Sequence, residues 1–472
     1  MIRSSNMASG NTVLTTLRSL VDALTHTMDL INEDVQDHHR KVAYLACRLA
    51  EEMGLSLYAR HLAIYGGLLH DIGSIVERGS PSVLEIEARA GQVARAGAEI
   101  LKLLPSTLPI AEVVGSTQEP YAEDLSHAEY IAHIPDAASL DVMYRDMDIE
   151  SCVPGAPGGG EASGEASRTG PETEGTAETP RMIGQVVHLA DVITLMFEED
   201  APVLNQLGRV RDTIRQVPEG YFHPLAVEAF ERLCGREAVW MDLMYEPSAF
   251  LDFLPDNEYI TLGQMAAISE FASVIIDFRS PFTAMHSAGV SATAVELAKR
   301  VGMSGEECLE MRIAANLHDL GKLRTPTEIL EKPGKLTDEE FNIIKEHAYY
   351  TYQILGRVEG LDQIACWAAF HHEKLNGRGY PFHIGREEIH LGARILAVAD
   401  IFSAITEDRP YRKGMEKAQV MEIMRENAAR GDISEGIVQH LLDGYDEINE
   451  ARARASRIAG ARYYASMGSK EE

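Results

Sequence analysis

The chain has 472 residues, of which 45% are hydrophobic and 25% are charged, so it is long enough for two or three globular domains. Its formal net charge of −30 argues against a protein that binds nucleic acid polymers or anionic membranes, because both repel an acidic surface. The five cysteines include no CxxC pair, and no apolar run approaches the roughly 20 residues of a membrane span. We therefore expect a cytoplasmic protein without a disulfide framework.

Apolar residues recur at helical spacing along nearly the whole chain, as in residues 39–55 and 286–303, and the alternation typical of strands is absent. This pattern predicts an all-α fold. Residues 155–180 interrupt it, since they are rich in Gly, Pro, Glu, Ser and Thr and contain no large apolar residue. Such a segment cannot bury enough surface to offset the entropy lost on ordering, so we predict a disordered acidic insertion at about 145–181.

The two halves of the chain repeat one pattern. In each half a histidine is followed 32 residues later by a His-Asp pair, and an Asp follows a later apolar run. The repeated residues are, in chain order, His38, His70, Asp71 and Asp191, and then His286, His318, Asp319 and Asp400. We therefore predict two tandem HD-type helical bundles joined by a linker with apolar anchors. The predicted bounds are 1–236 for the first domain, 237–257 for the linker and 258–472 for the second domain.

The second half concentrates His and Asp residues beside apolar segments. They are His286, His318, Asp319, His347, His371, His372 and Asp400. Any one of these residues alone is more often an ordinary member of a protein core. Together they would be costly to bury without partners, and divalent metal ions satisfy imidazoles and carboxylates at once.

Five imidazoles and two carboxylates exceed the needs of one ion and suit two ions, with an Asp as the bridge. Two ions about 3.5–4 Å apart lower the pKa of a bridging water and hold a phosphoryl group during in-line attack, so the set indicates phosphoester hydrolysis. Lys322, one helical turn beyond Asp319, is a candidate for neutralising a phosphate oxygen. Arg409 and Arg412 are candidates for contacting a second phosphate or a base. The alternative for all three cations is a solvated surface position.

These motifs occur in the order H…HDLGK…H…HHEKLNGRGYP…AD…RPYR and resemble the HD-GYP family, a branch of the HD superfamily of metal-dependent phosphohydrolases, over roughly residues 260–450. The resemblance implies a bacterial phosphodiesterase that converts cyclic di-GMP to pGpG and GMP, although some relatives act on cyclic GMP-AMP. It implies that the seven His and Asp residues bind iron or manganese, with Asp319 as the bridge. It further implies that Asp319 and Lys322 are catalytic and that Lys322, Arg409 and Arg412 contact the substrate.

Two details refine this resemblance. The turn Gly379-Tyr380-Pro381 matches the motif that names the family, which is linked to docking with GGDEF diguanylate cyclases. Some family members bind a third metal through a Glu four residues before the first histidine, where this chain has Phe282. We therefore expect two divalent metal ions in the second half.

The first half keeps four of the candidate ligands, namely His38, His70, Asp71 and Asp191. The other positions hold Val93, Thr117 and Gln118 in place of the remaining histidines, and Ser74 in place of the lysine. One interpretation is a degenerate structural or regulatory partner. The other is a single-metal site, to which Asp34 could add a fifth ligand from the same helical face. Both interpretations assign hydrolysis to the second half.

Three functions stay open at this point. The first is hydrolysis of a cyclic dinucleotide, cyclic di-GMP or cyclic GMP-AMP, in second-messenger signalling. The second is a catalytically weak scaffold that binds a cyclic dinucleotide or a diguanylate cyclase. The third is a nucleotide phosphohydrolase of the broader HD type, which the GYP motif argues against. A homodimer formed through the Arg- and Ala-rich C-terminal stretch also stays open.

Overall fold

The predicted all-α fold class is confirmed, apart from two short strands that the sequence pattern does not indicate. The computed structural model describes residues 12–31, 37–76, 90–102, 107–119, 121, 178–198, 201–218, 220–248, 254, 259–278, 281–330, 332, 334–407 and 413–466. Nearly all of the predicted acidic insertion therefore lies outside the described residues.

The first half begins with a strand that leads directly into a helix. Its described elements are β1 (Val13–Thr16), α1 (Leu17–Ile31), α2 (His38–Glu52), α3 (Leu57–Leu69), a 3-10 turn (Ile72–Val76), α4 (Ala90–Leu101), α5 (Leu108–Gly115), α6 (Pro180–Leu195), α7 (Val203–Gln216), α8 (Pro224–Leu233) and α9 (Glu237–Tyr245). The helix α9 lies inside the predicted linker but packs against α2, and its Trp240 side chain is fully buried. The predicted domain bounds stay a proposal.

The second half begins with the same order of elements as the first. They are β2 (Tyr259–Thr261), α10 (Leu262–Phe278), α11 (Pro281–Val301), α12 (Gly305–Leu317), a 3-10 turn (Leu320–Arg324), α13 (Thr327–Leu330), α14 (Asp338–Leu355), α15 (Asp362–Ala369), a 3-10 turn (Phe370–His372), α16 (Leu391–Thr406), α17 (Lys417–Ala429), α18 (Glu435–Asp443) and α19 (Tyr445–Ser466). No helix in the described part of the chain combines the length and apolar character that a membrane crossing requires.

Two helices that carry candidate ligands begin at well-formed caps. Ser304 accepts a hydrogen bond from the backbone of Glu307, whose side chain accepts one from the Ser304 backbone, and this capping box fixes the start of α12. Thr337 and Glu340 form the same box at the start of α14. Each cap stabilises its helix by about 1 kcal/mol. The caps therefore help to fix the positions from which the two helices deliver their histidines.

The helices that carry Asp191 and Asp400, α6 and α16, are buried on nearly every side. The residues of α6 from Met182 to Thr194 are all buried, and most of α16 is buried in the same way. Helices that are apolar on every side occupy the centre of a bundle. In the first half α6 packs against α2 and α3, and in the second half α16 packs against α11 and α15. The aspartates therefore lie at the centre of their bundles.

The two halves are joined by their first elements. The strand β1 pairs antiparallel with β2, with Val13 opposite Thr261 and Thr16 opposite Tyr259. The helices that follow, α1 and α10, each contact both of the 3-10 turns that follow the His-Asp pairs. The two helices therefore form a shared layer between the turns of the two halves.

Candidate metal centre

The seven candidate ligands of the second half come from five separate elements. His286 lies on α11, His318 and Asp319 follow the end of α12, His347 lies on α14, His371 and His372 lie in the 3-10 turn after α15, and Asp400 lies on α16. Five of the seven side chains are buried, and those of His372 and Asp400 are partly buried. Their convergence therefore requires the whole bundle.

The structure brings all seven residues into three overlapping groups. In each group one potential ligand atom from every member lies within 4.8 Å of the others. The groups are His286 with His318 and Asp400, His318 with Asp319 and His371, and His347 with His371 and His372. Because His318 and His371 are each shared by two groups, the donor atoms form one continuous cluster with Asp319 in the middle.

Three of these histidines are held in the tautomer that metal ions need. The Nδ1–H groups of His318, His347 and His371 donate to backbone carbonyls three residues earlier, at 2.7, 2.5 and 2.6 Å. A carbonyl can only accept, so Nδ1 carries the proton and Nε2 keeps its lone pair. The buried Nε2 atoms of His347 and His371 have no hydrogen-bond partner among the described residues. Buried atoms of this kind fit a metal ion, which would supply the missing partner.

His286 lies between two carboxylates. Its Nε2 is 3.1 Å from Asp400 Oδ1, and its Nδ1 is 3.1 Å from Glu407 Oε2. Burial opposes protonation of the ring, but the hydrogen bonds to the two carboxylates outweigh it and raise the pKa of His286 to about 10. With Glu407 accepting from Nδ1, the Nε2 atom is left to face the cluster, as in the carboxylate–histidine pairs that support metal ligands. No sequence pattern singles out Glu407 for this role.

The charge states of three other residues in the cluster suit metal binding. Burial holds the pKa of His347 at about 3 and that of His372 at about 4, so both imidazoles are neutral at pH 7. Burial alone would raise the pKa of Asp319, but the neighbouring histidines and Lys322 outweigh it and hold that pKa well below its usual range. Neutral imidazoles and ionised carboxylates are the forms that bind cations.

Of the three basic residues that are candidates for contacting the substrate, the structure describes only Lys322. The Nζ atom of Lys322 lies 2.6 Å from Asp319 Oδ2, and the Lys322 side chain is 21% exposed. It therefore stands at the open side of the cluster. The predicted contacts of Arg409 and Arg412 lie outside the described residues, as does the side chain of Phe282.

The GYP turn lies against this cluster. The Tyr380 ring centroid is 4.8 Å from that of His372, and the Tyr380 N–H donates to the His372 carbonyl at 3.3 Å. Glu373, the residue after His372, accepts hydrogen bonds from the backbone of Phe382 and His383 at 2.6 and 3.1 Å. Its carboxylate therefore holds the end of the turn.

The first half brings its four retained residues together as well. His38 Nε2 and His70 Nε2 lie 3.1 and 3.5 Å from Asp191 Oδ1, and Asp71 Oδ2 lies 3.1 Å from His70 Nε2. None of these contacts has hydrogen-bond geometry, so the buried His70 Nε2 and Asp191 Oδ1 have no hydrogen-bond partner among the described residues. His39, which the repeat pattern does not single out, adds a buried imidazole 4.0 Å from Asp71 Oδ2. The predicted contribution of Asp34 lies outside the described residues.

The positions that lost their histidines keep their backbone geometry. A Cβ atom on Gly73 would clash with the Val93 backbone, and one on Gly321 would clash with the His347 backbone. The Thr117 hydroxyl donates to the carbonyl three residues earlier at 2.9 Å, as the His371 ring does. Val93 and Thr117 therefore occupy the places of the lost histidines, while neither side chain can bind a metal ion as imidazole does.

Comparisons with known proteins agree with this double arrangement. Models of the HD domain match residues 35–141 and 270–434, one in each half. The chain belongs to the HD-domain family. Its two HD domains stand in tandem, and the second, with its intact HHE-to-GYP block, is of the HD-GYP type.

Curated relatives of this HD-domain chain are named as phosphodiesterases. The 3'3'-cGAMP-specific phosphodiesterase 1 of Vibrio cholerae is 27% identical, over 88% of both chains. The 3'3'-cGAMP-specific phosphodiesterase 3 of the same organism is 42% identical over 42% of this chain and 48% of its own length. A cyclic di-GMP phosphodiesterase of Pseudomonas aeruginosa is 40% identical over 31% of this chain and 35% of its own. The chain thus spans most of the first relative but less than half of the other two.

One solved structure resembles the tandem HD fold over nearly its full length. It is a crystal structure of a cyclic GMP-AMP-specific phosphodiesterase from V. cholerae, with a TM-score of 0.56 and 21% identity over 92% of this chain and 98% of that one. At this identity the likeness supports the shared fold.

Proposed function

We propose that the second HD domain is a metal-dependent phosphodiesterase that hydrolyses a cyclic dinucleotide. Cyclic di-GMP is the first candidate substrate. The observation that carries this proposal is the convergence of five imidazoles and two carboxylates beside Lys322. The names of the relatives supply the substrate class, since they are phosphodiesterases of cyclic di-GMP or of 3'3'-cGAMP.

We propose that the cluster holds two ions. His286, His318 and Asp400 would hold one ion, and His347, His371 and His372 would hold the other. Asp319 lies between the two sets, with Oδ2 3.3 Å from His318 Nε2 and Oδ1 3.5 Å from His347 Nε2, and is the proposed bridge. A set of nitrogen and oxygen donors of this kind suits iron or manganese.

Bound divalent ions supply Lewis acidity, which lowers the pKa of water and polarises a phosphoryl oxygen. The residues of the chain do the rest. Lys322 would neutralise a phosphate oxygen at the open side of the cluster, and it already balances the charge of Asp319. Arg409 and Arg412 are proposed to contact the remainder of the dinucleotide. Hydrolysis would add water across one P–O bond, leaving a 5′-phosphate and a free 3′-hydroxyl, so cyclic di-GMP would first give pGpG and then GMP.

The test is turnover of cyclic di-GMP and of cyclic GMP-AMP in parallel by the full chain. We would load the protein anaerobically with iron or with manganese, measure the metal content and separate the products by chromatography. Formation of pGpG or GMP supports the proposal. Faster turnover of cyclic GMP-AMP would reassign the substrate, and tight binding of either dinucleotide without turnover would favour the scaffold function.

We propose that the first HD domain holds one metal ion through His38, His70, Asp71 and Asp191 and does not catalyse hydrolysis. The two buried atoms without hydrogen-bond partners, on His70 and Asp191, support binding. The replacement of the lysine by Ser74 removes the cation that would meet a phosphate. Metal content of a chain whose second cluster is disabled by His318→Ala, Asp319→Ala and His371→Ala, which remove a ligand of each proposed ion and their bridge, would test this, because about one ion per chain should remain.

We also propose a cytoplasmic location, docking of GGDEF diguanylate cyclases at the Gly379-Tyr380-Pro381 turn, and a homodimer. These proposals come from the family resemblance and the composition. Mass measurement of the full chain in solution would test the dimer. Co-purification with a diguanylate cyclase would test the docking.

A further inference from the structure

Large aromatic side chains are exposed on the helix that carries His347. On α14, Phe341 is 42% exposed and Tyr349 is 43% exposed. Exposed aromatic surface of this size beside a ligand site often serves to bind something apolar. The two residues differ in what they touch, and that difference points to a role for one of them.

Phe341 is linked to the metal cluster by ring contacts. Its ring lies 6.3 Å from the ring of Tyr380, which in turn lies 4.8 Å from the ring of His372. Tyr349 instead contacts Phe382, at 6.2 Å, on the far end of the GYP turn. Phe341 and Tyr380 therefore form one aromatic wall that leads outward from the cluster.

This wall is held in place on both sides. The backbone bond from Tyr380 to the His372 carbonyl fixes the tyrosine next to the cluster, and the Glu373 carboxylate fixes the end of the turn. The Nζ of Lys345 stands over the Phe341 ring, 4.8 Å from its centroid. A cation on a ring face steadies that ring and adds positive charge near the entrance. An aromatic surface that is already ordered loses little entropy when a ligand binds.

We infer that Phe341 and Tyr380 form a stacking subsite for one purine base of the substrate. The inference rests on the proposed function, because the metal cluster must hold the phosphate for the base to reach the wall. Nucleic acid bases stack on aromatic side chains, and each such contact strengthens binding by roughly tenfold or more. The subsite would recognise a flat heteroaromatic ring, which gives the GYP tyrosine a role in substrate binding.

The test compares two substrates in two matched variants. One substrate is cyclic di-GMP, and the other is methyl p-nitrophenyl phosphate, a diester without a base. In Phe341→Ala we expect the ratio of kcat/KM for cyclic di-GMP to that for the small diester to fall by roughly tenfold, mostly through KM. Tyr349→Ala removes an equally exposed aromatic side chain from the same helix, and its ratio should stay within about twofold of the wild type.

Tyr380 separates stacking from hydrogen bonding. Tyr380→Phe keeps the ring and should nearly keep the ratio, whereas Tyr380→Leu should lower it by roughly as much as Phe341→Ala. An unchanged ratio in both Phe341→Ala and Tyr380→Leu would overturn the subsite, and so would an equal fall in Tyr349→Ala. A wild-type chain that hydrolyses the small diester but no cyclic dinucleotide would overturn the proposed function itself. Loss of cyclase co-purification in Phe341→Ala with an unchanged ratio would assign the wall to protein docking and end the inference.

Discussion

The two HD domains share a scaffold and differ in their chemistry. Each places a His-Asp pair between the end of a helix and a 3-10 turn, and in each a glycine of that turn meets the backbone of a later helix. The second domain gathers five imidazoles there, whereas the first keeps two, His38 and His70. Its other three equivalent positions hold Val93, Thr117 and a half-buried Gln118. Loss of a few side chains has therefore changed the donor set without changing the fold.

The difference separates the residue choices that the backbone requires from those that metal binding requires. Thr117 makes the same local hydrogen bond as His371, so the fold accepts either residue. Thr117 and His371 differ in their capacity to bind a metal ion, because only the imidazole offers a second nitrogen to the cluster. His39 in the first domain is matched by Ser287 in the second, which indicates that the two sites diverged in both directions.

The largest difference between the two domains should appear when the aspartate of the His-Asp pair is replaced in each domain in turn. Asp319→Asn should lower kcat for the cyclic dinucleotide by at least about 10³-fold, because both proposed ions lose their bridge. Asp71→Asn should change kcat by less than about threefold. Product chromatography with metal analysis measures both. Equal losses in the two variants would mean that the first domain takes part in hydrolysis.

A second comparison uses the glutamates that lie seven positions after Asp191 and Asp400. Glu407 supports His286, whereas the Glu198 side chain is 73% exposed and pairs with Arg209. Removing the outer partner of a metal ligand typically costs 10–100-fold in metal affinity, which we expect for Glu407→Gln. Glu198→Gln should leave affinity unchanged. Titration of the metal-free chain with Mn²⁺ measures this, and equal affinities in the two variants would contradict the supporting role of Glu407.

The smallest effect concerns acid stability of the metal-free chain. Unfolded histidines take up protons below about pH 6.5, whereas His347 and His372 in the fold do so only at about 3 and 4. The unfolded state therefore binds more protons between pH 6.5 and 4, and the free energy of unfolding falls as the pH falls through that window. His286, with its pKa raised to about 10, is protonated in the fold throughout that window and adds slope only at higher pH.

Urea unfolding at pH 7 and pH 5 tests this dependence. In His372→Gln the loss of stability between the two pH values should be smaller than in the wild type by about 1–2 kcal/mol. His61→Gln, on α3 at a histidine that belongs to neither cluster, serves as the control for the substitution itself. A His372→Gln chain with the full wild-type loss would show that other groups govern the acid transition.

The sequence was most informative where spacing and chemistry coincide. The all-α class and the repeat follow from apolar periodicity and from the 32-residue spacing, and the structure brings the seven candidates of the second half into one cluster. Glu407 and His39 could not be singled out, because a lone Glu near a helix end and a second histidine beside a first have ordinary explanations. The contact between Tyr380 and His372 depends on how the turn folds back, which no local pattern encodes.

The pairing of β1 with β2 has a consequence for any attempt to study the second half of the chain in isolation. A shortened chain that begins at β2 would carry a bare strand edge, and the side of α10 that contacts the 3-10 turn of the first domain would be left uncovered. Unpaired strand edges and exposed apolar faces promote association with other molecules. We therefore expect such a fragment to self-associate, with a second molecule in the place of the missing first half.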